Sequence, residues 1–362
     1  MKAGEEKGQY ELAVFIGRMQ PMHNGHLSAI KAACESAKKV LVLVGSSNAA
    51  PSTKNPFTAG WRIDVARAVI ADELPEHADK VVFERLQDLT ADNLWTNSVR
   101  LAIKRHSTSS SVVLVGCHKG DNHFLKWFPE IDFIEVPPLQ IEEKERVLSS
   151  SFVREYFFES PTFWFSLAFL RKYLPKESCK AILDETGSER FQLLMKEAKY
   201  LRDYRASRPY KYPINDVTAD AFVVCEGHVL LVSRGRQPGV GLLAMPGGFV
   251  NPDESLLDAA LRELSEETGL HLSPCDVSGS RVFDNPSRSQ RGRIITHVYK
   301  IEAKANPDGS LPSVKAGDDA SRVDWYPIEI LFNPENAAIF FEDHYDILVG
   351  MMPQECLGIA NE

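Results

Sequence analysis

The segment GFVNPDESLLDAALRELSEETGL, from Gly248 to Leu270, decides the fold of the second half of the chain. Its fixed residues follow the spacing G-x5-E-x7-R-E-U-x-E-E-x-G-U, where U is bulky and apolar. Such a match arises by chance in roughly one chain per million of this length, so we treat it as a functional motif. The pattern predicts a helix that ends at Gly269. Glu263, Glu266 and Glu267 then share one helix face, because residues three and four apart are neighbours.

Three carboxylates on one helix face repel one another unless a cation lies among them. Their oxygens suit Mg²⁺ or Mn²⁺, which can polarise a phosphoryl oxygen and acidify a bound water. Gly247 and Gly248 would let the backbone approach the metal or a phosphate closely. The alternative is a solvated acidic face, which the surrounding glycines and Arg262 make the weaker interpretation.

Around this helix, the residues after Val217 are patterned as strands flanking helices without regular alternation, which favours an α/β sandwich. Glu226 and Gly227 form the predicted turn between the first two strands. A C-terminal helix is expected over PENAAIFFEDHYDILVG, from Pro334 to Gly350.

The first half alternates short apolar strands with helices, which predicts a parallel sheet covered on both faces, Rossmann-like and doubly wound. Between its first strand and first helix lies GRMQPMHNGHL, from Gly17 to Leu27. Open α/β sheets bind ligands at such a position. His23 and His26 can donate hydrogen bonds to oxygens that gain charge in phosphoryl transfer.

Composition limits the partners and the compartment. The formal net charge of -9 disfavours indiscriminate nucleic-acid binding. The longest apolar run, FWFSLAFL, is too short to span a bilayer, and no signal peptide is expected at the N-terminus. Six scattered cysteines predict reduced thiols in a cytoplasmic protein. The sequence does not determine the oligomeric state and is compatible with a homo-oligomer.

The motif from Gly248 to Leu270 is identified as a Nudix box. Nudix enzymes use water and a divalent metal to split a nucleoside diphosphate linked to another moiety. This resemblance implies that Glu263, Glu266 and Glu267 bind the metal and that Glu266 and Glu267 are catalytic, without fixing which carboxylate is the base.

FDNPSRSQRGR, from Phe283 to Arg293, resembles a segment of ADP-ribose pyrophosphatases. The resemblance implies ADP-ribose as substrate, bound by Gly247, Gly248, Arg288, Arg291 and Arg293. The alternative for these arginines is a basic surface loop.

The first half resembles the archaeal type of NMN adenylyltransferase. GRMQPMHNGHL matches that family's first signature, LSSSFVR (Leu148 to Arg154) resembles a second signature, ISSTxxR, and NPFTAGWR (Asn55 to Arg62) resembles NPFTxxxR. The resemblance implies His23, His26 and Arg154 as catalytic residues. It implies ATP and NMN binding by Gly17, Arg18, Gln20, Asn55, Arg62, Asp88, Trp95, Ser150 and Ser151.

In this order the two halves resemble the bifunctional NMN adenylyltransferase–Nudix hydrolase family. The expected domains are 1–190, the nucleotidyltransferase, then 191–211, a helical linker, and 212–362, the Nudix domain. ATP, NMN and ADP-ribose are the expected small-molecule partners. Three alternatives are nicotinate mononucleotide or pantetheine phosphate as acceptor, a Nudix domain that only senses ADP-ribose, and Nudix activity on NADH or other nucleotides.

Overall fold

A computed structural model of the chain describes residues 10–89, 92–117, 127–141, 146–158, 168–207, 214–317 and 320–352. The chain divides into two compact units, Met1–Met195 and Lys196–Glu362. The division falls within a helix, Glu189–Ala206, which contains residues 191–206 of the predicted linker. No helix within the described ranges is long and apolar enough to cross a membrane.

The first unit is built on a five-stranded parallel sheet with the order β3-β2-β1-β4-β5. These strands are β1 (Tyr10–Gly17), β2 (Ala37–Val44), β3 (Val81–Arg85), β4 (Val112–Gly116) and β5 (Asp132–Glu135). A small ribbon pairs β6 (Gln140–Ile141) with β7 (Arg146–Val147). The helices are α1 (Asn24–Ser36), α2 (Ala59–Glu73), α3 (Asp92–His106), α4 (Ser150–Phe158) and α5 (Lys176–Glu185), and α6 (Glu189–Ala206) contains the boundary between the two units.

Helices cover both faces of this sheet, as its continuous apolar strands predict. Val42 and Val44 of β2 lie in a core with α1 and α2, whereas Leu41 and Leu43 of the same strand lie in a core with α3. The predicted doubly wound sheet is therefore confirmed. The sheet order reverses at β1, which lies between β2 and β4, so the loop after β1 borders the crevice where such sheets bind ligands.

The second unit contains a seven-stranded mixed sheet. Its strands are β8 (Asp216–Cys225), β9 (His228–Arg234), β10 (Leu243–Ala244), β11 (Gly247–Phe249), β12 (Val277–Phe283), β13 (Ile294–Glu302) and β14 (Ala320–Pro327). Its helices are α7 (Leu256–Thr268) and α8 (His344–Met351). Leu264 of α7 packs against Ala221 of the sheet, and Leu348 of α8 packs against Phe222 on the opposite face. This arrangement confirms the predicted α/β sandwich.

The C-terminal helix is shorter than predicted. Pro334–Ile339 forms a 3-10 helix, and Phe340 is extended and bridges to Leu243. The backbone of Glu342 has φ +45°, which a helix cannot contain, and α8 begins only at His344. The prediction from Pro334 to Gly350 was wrong because the amide of Phe341 donates to the Leu243 carbonyl (2.8 Å), a partner that helical periodicity cannot reveal.

Candidate active sites

The loop after β1 is held to the segment before α2 by Gln20. Its Nε2 donates to the Phe57 carbonyl (2.9 Å), and its Oε1 accepts from the Phe57 amide (3.0 Å). Gln20 is 1% exposed. The structure therefore gives this predicted ATP-binding residue a role in shaping the loop, where a cis peptide bond links it to Pro21.

His23 and His26 cap α1 through their rings. Nδ1 of His23 accepts the amide of Gly25 (3.1 Å), and Nδ1 of His26 accepts the amide of His23 (3.2 Å). The two rings stack with centroids 3.7 Å apart. Because each Nδ1 is an acceptor, a neutral ring must carry its proton on Nε2. The capping box of α1 thus fixes both rings as Nε2–H donors.

The second signature lies against this loop. The Ser150 hydroxyl donates to the Pro21 carbonyl (3.1 Å), and Arg154 donates to the Gln20 carbonyl (2.8 Å) and to the Ser151 hydroxyl (3.1 Å). Burial, and next the Arg18 charge, lower the pKa of Arg154 to about 10, so it remains a cation at neutral pH.

One cavity of the first unit brings the two signatures together. It is lined in part by Gly17, Arg18, His23, His26, Ser149, Ser150 and Ser151. Arginine, imidazole, hydroxyl and helix-terminal groups around one cavity form an environment that suits the phosphates of a nucleotide.

Arg62 is buried away from solvent, at 2% exposed. Its guanidinium donates to the carbonyls of Arg18, Gly45 (2.7 Å), Ser46 (3.1 Å), Phe57 (3.1 Å) and Thr58 (3.3 Å). Burial lowers the pKa of Arg62 to about 10. Arg62, predicted to bind ATP or NMN, here ties together the loops after β1 and β2. In the same segment, the buried Oδ1 of Asn55 has no hydrogen bond among the described residues.

Asp88 and Trp95 follow β3 at the same edge of the sheet. The backbone of Asp88 pairs with the side chain of Asn48 in both directions (2.8 and 3.0 Å). The Trp95 ring is half-buried and meets Trp127 edge-on, with centroids 5.7 Å apart. Both residues lie outside the lining of the cavity that contains the histidines.

In the second unit, Arg262 joins Glu254, which precedes α7, to two acidic residues of that helix. It forms two hydrogen bonds with Glu254 (2.6 and 2.8 Å) and donates to Glu263 (2.8 Å) and Glu266 (3.0 Å). Chiefly these hydrogen bonds lower the pKa of Glu254 to about 2. Arg262 thereby offsets the repulsion between carboxylates that the sequence places on one face.

Glu267 is directed at the backbone of β11. Its Oε2 accepts the amide of Gly247 (3.1 Å). Burial raises the pKa of Glu267 to about 8, and the nearby Glu263 and Asp220 carboxylates add to this rise. A cation beside Glu267 would lower its pKa again, since it stabilises the ionised form.

The carboxylates of α7 are suited to bind a divalent cation through their oxygen atoms. A Cβ on Gly248 would lie 2.3 Å from Oε1 of Glu263, so a side chain there would displace that carboxylate from its present position. Glu263, Glu266 and Glu267 offer the hard carboxylate oxygens that Mg²⁺ and Mn²⁺ prefer. Among the residues that the structure describes, no group of three or more acidic, His or Cys side chains is already arranged as a set of metal ligands. Glu263 and Glu266 instead form ion pairs with Arg262, so a cation would compete with Arg262 for both carboxylates.

The three predicted ADP-ribose arginines differ in their surroundings. Arg288 forms a buried bidentate pair with Asp343 (2.9 and 3.0 Å). Arg293 pairs with the backbone and side chain of Asp284. Arg291 lies with its guanidinium carbon 5.5 Å from the ring centroid of Phe249.

Several residues at this site carry no sequence signal. Asp220 of β8 is 5% exposed and accepts from the Thr296 hydroxyl, and burial raises its pKa to about 6. A Cβ on Gly247 would lie 2.1 Å from Oδ1 of Asp220, which explains this glycine by close backbone approach. Arg234 likewise carries no sequence signal, and its guanidinium carbon lies 4.0 Å from the ring centroid of Phe341.

Fold and sites together define a nucleotidyltransferase unit followed by a Nudix hydrolase unit. A cytidylyltransferase-like family model matches residues 14–155, and a NUDIX domain model matches residues 215–346. The chain belongs to the family of bifunctional NMN adenylyltransferase/ADP-ribose pyrophosphatases, as the following similarities show.

A crystal structure of the bifunctional NMN adenylyltransferase/ADP-ribose pyrophosphatase from Francisella tularensis, complexed with AMP and a Mn ion, resembles the whole chain. It is 30% identical, covers 96% of this chain and 100% of its own, and superposes with a TM-score of 0.84. An ADP-ribose pyrophosphatase from Methanocaldococcus jannaschii is 32% identical over 130 residues, or 36% of this chain and 71% of its own. A nicotinamide/nicotinic acid mononucleotide adenylyltransferase from Acinetobacter baylyi is 29% identical over 153 residues, or 42% of this chain and 77% of its own.

Proposed function

We propose that the chain is a bifunctional enzyme of NAD metabolism. The first unit transfers the adenylyl group of ATP to NMN, which gives NAD and pyrophosphate. The second unit hydrolyses ADP-ribose to AMP and ribose 5-phosphate. The observation that carries this proposal is the similarity over the whole chain to a protein with both activities, together with both motifs set in their own units.

For adenylyl transfer, the phosphate of NMN attacks the α-phosphorus of ATP and pyrophosphate leaves. The capping box supports His23 and His26 as neutral Nε2–H donors toward oxygens that gain charge in the transition state. Arg18 and Arg154 supply positive charge for the phosphates, and the Ser150 and Ser151 hydroxyls add hydrogen bonds. The loop that presents the histidines is held by Gln20, Arg62 and Arg154. We therefore assign Gln20 and Arg62 to positioning, and we assign Arg154 both to positioning and to phosphate binding.

The Acinetobacter relative is named for both nicotinamide and nicotinic acid mononucleotides, which supports a second acceptor besides NMN. The two acceptors differ by an amide and a carboxylate on the same pyridinium ring. A flat indole such as Trp95 can stack on a cationic ring in either case, so we propose NMN and, as a second acceptor, nicotinate mononucleotide.

For the hydrolase, we propose that Glu263, Glu266 and Glu267 hold Mg²⁺ or Mn²⁺. When bound, such a cation polarises the diphosphate and makes a water nucleophilic at neutral pH. Glu267 accepts the Gly247 amide, which fixes its carboxylate toward β11. With a cation bound beside it the carboxylate would be ionised, so it can accept a proton from the attacking water. Arg262 orients Glu263 and Glu266 on the same helix face.

A product assay on the purified chain with Mg²⁺ tests both halves. ATP with NMN is offered in one tube and ADP-ribose in another, and the products are separated by chromatography. We expect NAD in the first tube and AMP in the second, with His26→Ala abolishing only the NAD and Glu267→Ala only the AMP. A first tube without NAD would overturn the acceptor assignment, and bound but intact ADP-ribose would favour a sensor over a hydrolase.

A further inference from the structure

The loop that contains the three arginines is fastened to a segment distant in sequence, Phe341–His344. Glu342 accepts the hydroxyl of Ser289 (2.7 Å) and the amide of Gln290 (3.0 Å). The next residue, Asp343, holds Arg288 through two hydrogen bonds (3.0 and 2.9 Å). Two consecutive carboxylates therefore fix the loop on either side of Ser289.

Arg291 lies between two aromatic rings in this arrangement. Its guanidinium carbon is 5.5 Å from the ring centroid of Phe249 and 5.7 Å from that of Phe341. Its Nε and its backbone amide both donate to the Ser289 hydroxyl oxygen (3.3 Å), and its Nη2 lies 3.7 Å from Oε2 of Glu342. Glu342 thus acts on Arg291 directly by charge and indirectly through Ser289.

The three arginines differ in what they can still bind. The Arg288 side chain is 4% exposed and donates two hydrogen bonds to Asp343, and Arg293 donates to the backbone of Asp284. Neither Nη nitrogen of Arg291 has a hydrogen bond among the residues that the structure describes. Phe249, the ring beside Arg291, directly follows Gly247 and Gly248 and is 39% exposed, which places Arg291 next to the acidic site of α7.

The backbone at Glu342 adds an independent sign of function. Its φ of +45° lies in the left-handed region, which is costly for a residue with a Cβ. Such a conformation persists when surrounding contacts over-determine it, and it concentrates at functional sites.

We propose that Glu342 is a positioning residue of the hydrolase, which holds Arg291 between Phe249 and Phe341 so that Arg291 binds an anionic group of the nucleoside diphosphate substrate. This inference rests on the proposed hydrolase function and deepens it. Arg288 then maintains the loop, and Arg293 stays with Asp284.

Steady-state kinetics of ADP-ribose hydrolysis by the full chain with Mg²⁺ test the inference. We expect Glu342→Gln to raise KM roughly tenfold, with kcat within about twofold, because the amide keeps the acceptor oxygen but loses the charge beside Arg291. Arg291→Ala should raise KM by about 10- to 100-fold. Glu342→Gln should add nothing further in the Arg291→Ala background, because the effect passes through Arg291.

Two further variants keep the result interpretable. Glu342→Gly accommodates φ +45° without strain, so it should fold and still raise KM as Glu342→Gln does. Glu335→Gln removes the same charge from an exposed position in the preceding turn and should leave KM unchanged. NAD formation by the same samples confirms that equal amounts of folded first unit are compared.

The outcomes distinguish a failure of the proposed hydrolase function from a failure of the positioning role of Glu342. A native chain that leaves ADP-ribose intact would overturn the proposed hydrolase function itself. A native chain that hydrolyses ADP-ribose, with unchanged KM in Glu342→Gln and Glu342→Gly, would overturn the positioning role. Additive KM effects in the double variant would also overturn it, because Glu342 would then act independently of Arg291.

Discussion

His23 is the N-cap of α1, and we propose that it is also a hydrogen-bond donor in adenylyl transfer. Two substitutions separate these two roles. Asn keeps an acceptor atom on Cγ for the Gly25 amide, so His23→Asn should leave the unfolding free energy nearly unchanged. His23→Ala removes the cap and should cost about 1 kcal/mol of unfolding free energy. Both variants should lower kcat for NAD formation by about 10²- to 10³-fold, because neither retains the Nε2–H donor.

Thermal or denaturant unfolding and an NAD-formation assay on both variants check this prediction. If His23→Asn forms NAD at the native rate, His23 acts only as a helix cap and the donor role is wrong. Ser28→Ala is the comparison variant. It removes a hydroxyl from the same helix that donates only to the Asn24 carbonyl, within α1.

The buried carboxyl of Asp220 makes the unfolding free energy depend on pH. Its pKa is raised from 3.8 to about 6, chiefly by burial, so the folded chain binds its proton more tightly than the unfolded chain. The stability contribution of the protonated carboxyl is therefore full below about pH 4 and is lost as the pH rises through 6. Each pH unit between the two pKa values is worth about 1.4 kcal/mol, which gives a loss of about 3 kcal/mol for a fully realised shift.

Asp220→Asn keeps an acceptor for the Thr296 hydroxyl and cannot ionise. The difference in unfolding free energy between Asp220→Asn and the native chain should therefore grow in favour of the variant from pH 4 to pH 7, measured in chelator. A difference that stays constant over this range would show that Asp220 titrates normally in the folded protein.

At the scale of the elements, β11 and β8 approach so closely at Gly247 that glycine is required. A Cβ on Gly247 would meet backbone atoms of β8, 2.7 Å from Cα of Asp220 and 2.8 Å from the Ala219 carbonyl oxygen. Backbone cannot rotate away as a side chain can, so Gly247→Ala should cost about 1–3 kcal/mol of unfolding free energy. It should also lower ADP-ribose hydrolysis, because the Gly247 amide is the partner of Glu267.

The matched control is Gly279→Ala in β12, where an added Cβ would have no atom within 4 Å. Equal melting temperatures for Gly247→Ala and Gly279→Ala would contradict the proposed close approach. The NAD-forming activity of both variants should remain at the native level.

The elements also show where sequence patterns are sufficient. Apolar runs predicted the parallel sheet, and the spacing of the Nudix box predicted α7, because both depend on neighbours within a few residues. The structure likewise places His23, His26, Ser150 and Ser151 around one cavity. The segment of Glu342 was predicted as helix, since its partners lie some fifty residues away at Ser289 and Gln290.

The same limit applies to residue roles. Motif similarity assigned Arg62 and Arg288 to substrate, whereas the structure surrounds Arg62 with carbonyls and Arg288 with Asp343. A sequence motif records which residues a site needs and does not separate those that touch the ligand from those that hold the loop. Burial and the carbonyl or carboxylate partners, which only the structure supplies, support a positioning role for Arg62 and Arg288.

At the scale of the whole molecule, the chain carries an excess of acidic residues, and its proposed substrates are also negatively charged. The net charge is -9, yet Arg18 lines the cavity of the first unit and Arg154 bonds to the loop after β1 and to Ser151. In the second unit Arg234, Arg288 and Arg291 all act electrostatically on the buried His344. Local cations thus offset an unfavourable global charge, and a divalent cation would extend this compensation to α7.

We therefore expect Mn²⁺ to stabilise the chain by binding at one location, the carboxylates of α7. A ligand that binds only the folded state raises the unfolding free energy by RT ln(1 + [L]/Kd), about 2.7 kcal/mol at one hundred times Kd. Calorimetry of the full chain without nucleotide should show a Mn²⁺-dependent rise in melting temperature that Glu263→Gln with Glu266→Gln abolishes. Asp64→Asn, which changes an exposed carboxylate of the first unit, should leave the rise intact. Equal stabilisation of all three proteins would mean that Mn²⁺ binds the acidic surface at large, and the metal site on α7 would have to be abandoned.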